Sequence, residues 1–143
     1  IGHLMPNVIG STIARVLAWN GGEVKEACYQ GDVGMHVAKA IWAMLQGSSI
    51  KEAYATGSKA FEENEEAKKE IQEINKKIYA KSDEKINALY DLGRKESLAY
   101  FDSVYKILGT HFDYFFFESE VASFGKEIVE KNLGKVFEKG EIL

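Results

Sequence analysis

The sequence predicts an α/β fold, a sheet layer covered by helices and interrupted by a long helical insertion. Three observations point there. Apolar residues recur at helical spacing from Val8 to Ala18, and two short strand-like stretches, "EVKEACYQ" and "FDYFFFESE", lie far apart in the chain. Between them, from Gly47 to Gly109, the pattern is helical throughout.

The first helix follows Pro6, a residue suited to a first turn, carries Val8, Ile9, Ile13, Val16, Leu17 and Ala18, and stops at Gly21-Gly22. A strand marked by Val24 and Cys28 comes next, then a turn at "GDVG". The second helix, Met35 to Leu45, is apolar along one side through Val37, Ala38, Ile41, Trp42 and Leu45, as a helix buried against a sheet should be. From Ile50 to Lys81 the composition turns to Glu, Lys and Ala. Pairs such as Glu65/Lys69 and Glu73/Lys77 predict one solvated helix with a thin apolar stripe. Asp83 to Leu108 predicts another helix, burying Ile86, Leu89, Tyr90, Leu92, Tyr100, Phe101, Val104, Tyr105 and Leu108. The aromatic run Phe112 to Phe117 reads as a strand inside a sheet, Val121 to Leu133 as the last helix, and "KVFEKGEIL" as the start of a further extended segment. Three segments follow: 1–46 and 110–143 as parts of one α/β layer, and 47–109 as the insertion.

A chain of 143 residues that is 45% apolar can bury one real core but not comfortably two. Its formal charge of −4 gives no global positive field for nucleic acid. Cys28 is the only cysteine, which excludes an internal disulfide and a cysteine-built zinc site and fits a reducing compartment. With three histidines in all, no metal site is expected. Tyr114 to Phe117 is too short to span a bilayer, and no export signal is visible at the N-terminus. The expectation is a soluble, cytoplasmic monomer with no membrane partner.

Ile1-Gly2-His3 ahead of a helix resembles the last three letters of the H-x-G-H signature of class I aminoacyl-tRNA synthetases, with the first histidine expected just before Ile1. A longer stretch resembles the arginyl-tRNA synthetase pattern at Gly2, His3, Ile9, Gly10, Ala14, Arg15, Leu17, Gly22, Val24, Tyr29, Asp32 and Gly34. A second, "LGTHFDYFFFESE", is similar to the same family at Phe112, Asp113, Glu118 and Ser119. Val33 and His36 depart from it, standing where most members have an aromatic residue and a glutamine. The resemblance implies the N-terminal part of a Rossmann-like (class I synthetase, HUP-type) catalytic domain, incomplete and with a helical insertion. It implies an arginine–tRNA ligase lineage, with ATP (and Mg2+), arginine and tRNA as substrates. The later half of the nucleotide-binding fold and the anticodon-binding domain are expected outside this chain, which by itself should be inactive.

By the same resemblance His3 is the catalytic residue, donating to phosphate as charge builds during adenylate formation, with Gly2 and Asn7 beside it at the ATP site. Tyr29, Gln30, Asp32 and His36 surround the turn after the first strand and are candidates for substrate binding. Asp32 has two readings: a partner for an α-ammonium or ribose hydroxyl, or the N-cap of the helix beginning at Met35. His36 reads more simply as a helix residue than as a ligand, and Ser119 as the N-cap of the last helix. The Tyr and Phe cluster lacks interleaved Arg and Lys, so core packing is favoured over base stacking. Two other functions stay open, a non-catalytic helical interaction module and another class I nucleotidyl transferase.

Overall fold

Residues 4–140 are described by a computed structural model. Helix α1 spans Leu4–Trp19. It ends where Gly21 takes a left-handed φ of 85° and the Gly22 N–H donates to the Leu17 carbonyl at 3.0 Å, so the glycine stop acts as its sequence suggested. Strand β1 is Ala27–Gln30, shorter than its alternation implied. Then come α2 (Met35–Leu45), α3 (Ile50–Glu63), α4 (Glu65–Ala80) and α5 (Glu84–Leu108), followed by strand β2 (Tyr114–Phe117) and α6 (Glu118–Lys131). β1 and β2 pair in parallel, Ala27 opposite Tyr114 and Gln30 opposite Phe117. The molecule is thus mixed but mostly helical, with a small two-stranded sheet among the described residues.

The core lies among the helices. Val33, Ala38, Ile41, Ile71, Ile74, Ile78 and Ile86 form one buried cluster drawn from the β1–α2 turn, α2, α4 and α5. Helix α3 joins it by close backbone approach: a Cβ built on Gly57 would stand 2.0 Å from the Lys39 carbonyl oxygen of α2. Only a residue without a side chain admits that spacing.

Several expectations need correction. The single charged helix from Ile50 to Lys81 is two helices, because the Asn64 side chain accepts from the Glu66 and Ala67 N–H groups at 2.8 and 3.2 Å and starts a new one. An asparagine carbonyl that competes for backbone donors is a natural N-cap. The ion pairs on α4 are Lys68–Glu65 and Lys76–Glu73, three apart, while Lys77 reaches Asp83 across the next turn. Along α5 only Ile86 is fully buried, and Leu92, Tyr100 and Phe101 are 44%, 66% and 38% exposed. A 25-residue helix runs to about 37 Å, well past the α2–α4 packing that covers its first turns. The aromatic strand is not enclosed either: Tyr114, Phe115 and Phe116 are half exposed, since β2 has β1 as its one neighbour among the described residues. Residues 135–137 close a turn, with the Gly134 N–H donating to the Phe137 carbonyl, where an extended segment was expected. Positions 141–143 of that segment lie outside the described residues.

Candidate functional site at the carboxyl ends of the strands

β1 and β2 both end at the same edge of the sheet, and the chain leaves β1 through Gly31, Asp32, Val33 and Gly34. Gly34 has φ 115° and ψ −177°, a conformation that side chains resist, and its carbonyl then accepts from the Val37 and Ala38 N–H groups to begin α2. α2 carries no side-chain cap. Asp32 therefore does not cap α2, against one of its two readings, and turns instead to the other strand's exit.

There it meets four donors. Ser119 N–H donates to Oδ1 at 2.9 Å, and the Ser119 hydroxyl and Tyr90 hydroxyl donate to Oδ2 at 2.7 and 2.8 Å. Arg94 Nε stands 3.3 Å from Oδ2, close enough for an ion pair but outside hydrogen-bond alignment. The Asp32 side chain is only 7% exposed. Burial pushes its carboxyl pKa up, yet the two Ser119 bonds, the Tyr90 bond and the Arg94 charge together outweigh that and hold it below the ordinary value. Tyr90 is driven the other way, by burial first and then by donating to Asp32. Ser119 is accordingly not an N-cap. Phe117 occupies the cap position of α6 with no side-chain bond, and Asp32 supplies the acceptor from 87 residues away.

Beside this cluster opens a cleft of about 340 Å³. Gln30, Asp32, His36 and Arg94 lie at its polar part, and Ile41, Leu89 and Phe101 belong to its apolar walls. Gln30 donates through Nε2 to the Tyr105 hydroxyl at 3.3 Å, and His36 Nε2 lies 2.9 Å from the Gly31 carbonyl. So the structure brings three of the four candidate substrate residues to one cavity. Tyr29 alternates to the other side of β1, is 61% exposed and does not line it.

Asn7 sits elsewhere. Its Oδ1 accepts from the Thr110 hydroxyl at 2.9 Å, and Ser11 lies 3.2 Å from the same hydroxyl. Thr110 precedes β2, and nearby Asp113 accepts from the Glu26 N–H at 2.8 Å, just before β1. This polar group belongs to the amino ends of the strands. Gly2 and His3 lie outside the described residues. Tyr90 and Arg94, which complete the Asp32 cluster, escaped sequence reasoning because both come from the middle of α5, where only helical spacing was legible. Among the described residues no group of His, Cys, Asp and Glu could hold a metal ion. Nor is any described helix long and apolar enough to cross a membrane.

Parallel strands joined through helices, with a cleft at their carboxyl edge, make a small α/β segment. No family model matches the chain. Its relatives are more specific. It is 28% identical to an arginine–tRNA ligase of Borreliella burgdorferi over 96% of this chain and 26% of the relative. For the arginine–tRNA ligase of Phocaeicola vulgatus the figures are 27%, 96% and 29%, and for that of Treponema pallidum 26%, 93% and 25%. The chain is homologous to arginine–tRNA ligases along nearly its whole length, consistent with a fragment of an arginyl-tRNA synthetase, and spans about a quarter of the relatives it matches.

Proposed function

We propose that this chain is part of the catalytic domain of an arginine–tRNA ligase. In that reading 1–46 and 110–143 contribute to a Rossmann-like, nucleotide-binding layer and 47–109 is its helical insertion. The whole protein, working in the cytoplasm, activates arginine with ATP and Mg2+ and transfers it to tRNA. The observation that carries the reading is the parallel pairing of the two stretches that resemble the family. They are joined at both ends, Asp113 to Glu26 where the strands begin and Asp32 to Ser119 where they finish. Three positions of the family resemblance, Asp32, Glu118 and Ser119, thereby meet at the carboxyl end, where a Cβ on Gly31 would lie 3.5 Å from Glu118 Oε2, while a fourth, Asp113, ties the amino end.

Activation requires the arginine carboxylate to attack the α-phosphorus while pyrophosphate departs. In this reading His3 and the N–H groups at the start of α1 stabilise the charge that builds there, with Gly2 beside them. Gln30, Asp32 and His36 border the amino-acid side of the site. Arginine-dependent ATP–pyrophosphate exchange tests this. The isolated chain should show none, and in a ligase of the relatives' full length that carries this segment His3→Ala should slow exchange on the order of 100-fold. Full exchange by the His3→Ala ligase removes His3 from the site, and a full-length protein that exchanges only with another amino acid removes the arginine assignment.

A further inference from the structure

We infer that Arg94 is a positioning residue through which the helical insertion holds the exits of both strands in place. Its guanidinium carbon lies 3.9 Å from the centre of the Phe117 ring, at the end of β2. Nη2 donates to Glu120 Oε1 at 3.0 Å in the first turn of α6, and Nε faces Asp32 Oδ2 at 3.3 Å in the turn after β1. One side chain of α5 thus joins the turn after β1 to the junction of β2 and α6, two places that the sequence keeps far apart. Tyr90, one turn earlier, donates to the same Asp32 oxygen, so α5 reaches the strand exits with two adjacent side chains.

The alternatives are weaker. An exposed Arg–Glu pair alone contributes little, because solvent screens it and the side chains lose rotamer freedom. Arg94 differs in being stacked on an aromatic face and mostly covered, with 29% of its side chain exposed. A planar fork can stack on Phe117 while its edge meets two carboxylates. An ammonium group can satisfy only part of that arrangement. The cleft's polar part is therefore built from the insertion as well as from the strands, a conclusion that stands whether or not the chain derives from a synthetase.

The test follows the Asp32 side-chain carboxyl by carbon NMR through an acid titration of the whole chain, in the native sequence, Arg94→Met and Arg94→Lys. Met keeps the unbranched stem and removes the charge and the fork. The titration midpoint of Asp32 should rise by about half a pH unit or more with Met. Lys should reverse only part of that rise. The Ser119 amide resonance should move with Met and return in part with Lys. A folded Met variant with unmoved Asp32 and Ser119 signals overturns the inference. Should Met unfold the chain, a folded Lys variant with native signals at both positions overturns it equally. None of these readings needs ATP, arginine or tRNA, so a failed exchange assay and a failed titration are separate outcomes.

Discussion

At the residue scale, Asp32 shows how much chemistry one position can hold and how little of it spacing reveals. The sequence placed it at the strand exit beside a glycine turn, which is where it lies, but one of its readings looked to a substrate and the other to the helix just ahead. Its actual partners are Ser119, Tyr90 and Arg94, separated from it by 87 and 58 residues in the first two cases, and no local pattern encodes such distances. The same bonds fix a pH dependence. Around Asp32 the ionisable groups are Tyr29 from β1, Tyr90 and Arg94 from α5, and Glu118 and Glu120 from α6. Since the folded carboxyl titrates below its ordinary value of 3.8, its stabilisation is complete above that value and is lost as pH falls through the lowered folded one. Asp32→Asn should therefore cost on the order of 2–3 kcal/mol near neutrality, where it leaves a charged donor without its anion. The gap between native and variant urea midpoints should narrow as pH drops toward about 2. A gap that stays constant across that range would mean the carboxylate charge is not what Ser119 and Arg94 hold.

At the scale of elements, the sequence located the helices well and their contacts poorly. The apolar stripe of α4 is the one its pattern showed, with Ala67, Ile71, Ile74 and Ile78 buried. The break at Asn64 was hidden because an asparagine within a run of good helix formers reads as a tolerated residue until its side chain is seen to cap. Gly57 was equally silent, a glycine in the interior of α3 whose local effect is destabilising. Its value lies in tertiary packing: the α3 backbone rests against the Lys39 carbonyl, and Ala53 on α3 and Ala43 on α2 are both fully buried. Gly57→Ala should gain up to about 1 kcal/mol in helix propensity and lose more than that by forcing α2 and α3 apart. A net loss of about 2 kcal/mol or more in chemical denaturation is expected. A variant as stable as the native chain would show that the two helices do not meet this closely in solution.

At the scale of the molecule, the buried interior is offset from α1, where the sequence resembles the family densely. α1 has no buried residue, and its half-buried positions are Asn7, Ser11 and Ala14, a polar and small stripe that faces Thr110 and Glu26. Its apolar residues Val8, Ile9, Ile13, Val16 and Leu17 stay about half exposed. Periodicity correctly announced a helix there, but a helical stripe states only that a face is apolar, not that this segment of chain covers it. That the two ends share one layer was anticipated, whereas the siting of the core among α2, α4 and α5 was not, because α2 reads as a helix against a sheet but packs on other helices, and charged residues dominate α4. Opening free energies should follow burial rather than family resemblance. In hydrogen exchange of the native chain, the amides of Ala38, Ile41 and Ile71 should be the slowest, approaching the global unfolding limit. Those of α1 between Val8 and Trp19 should exchange at least about 100-fold faster, since little apolar burial opposes their local opening. Equal protection in α1 and α2 would require a cover over the α1 apolar face, such as a second copy of the chain. Measuring exchange at two protein concentrations separates that case from a monomer in which α1 is intrinsically stable.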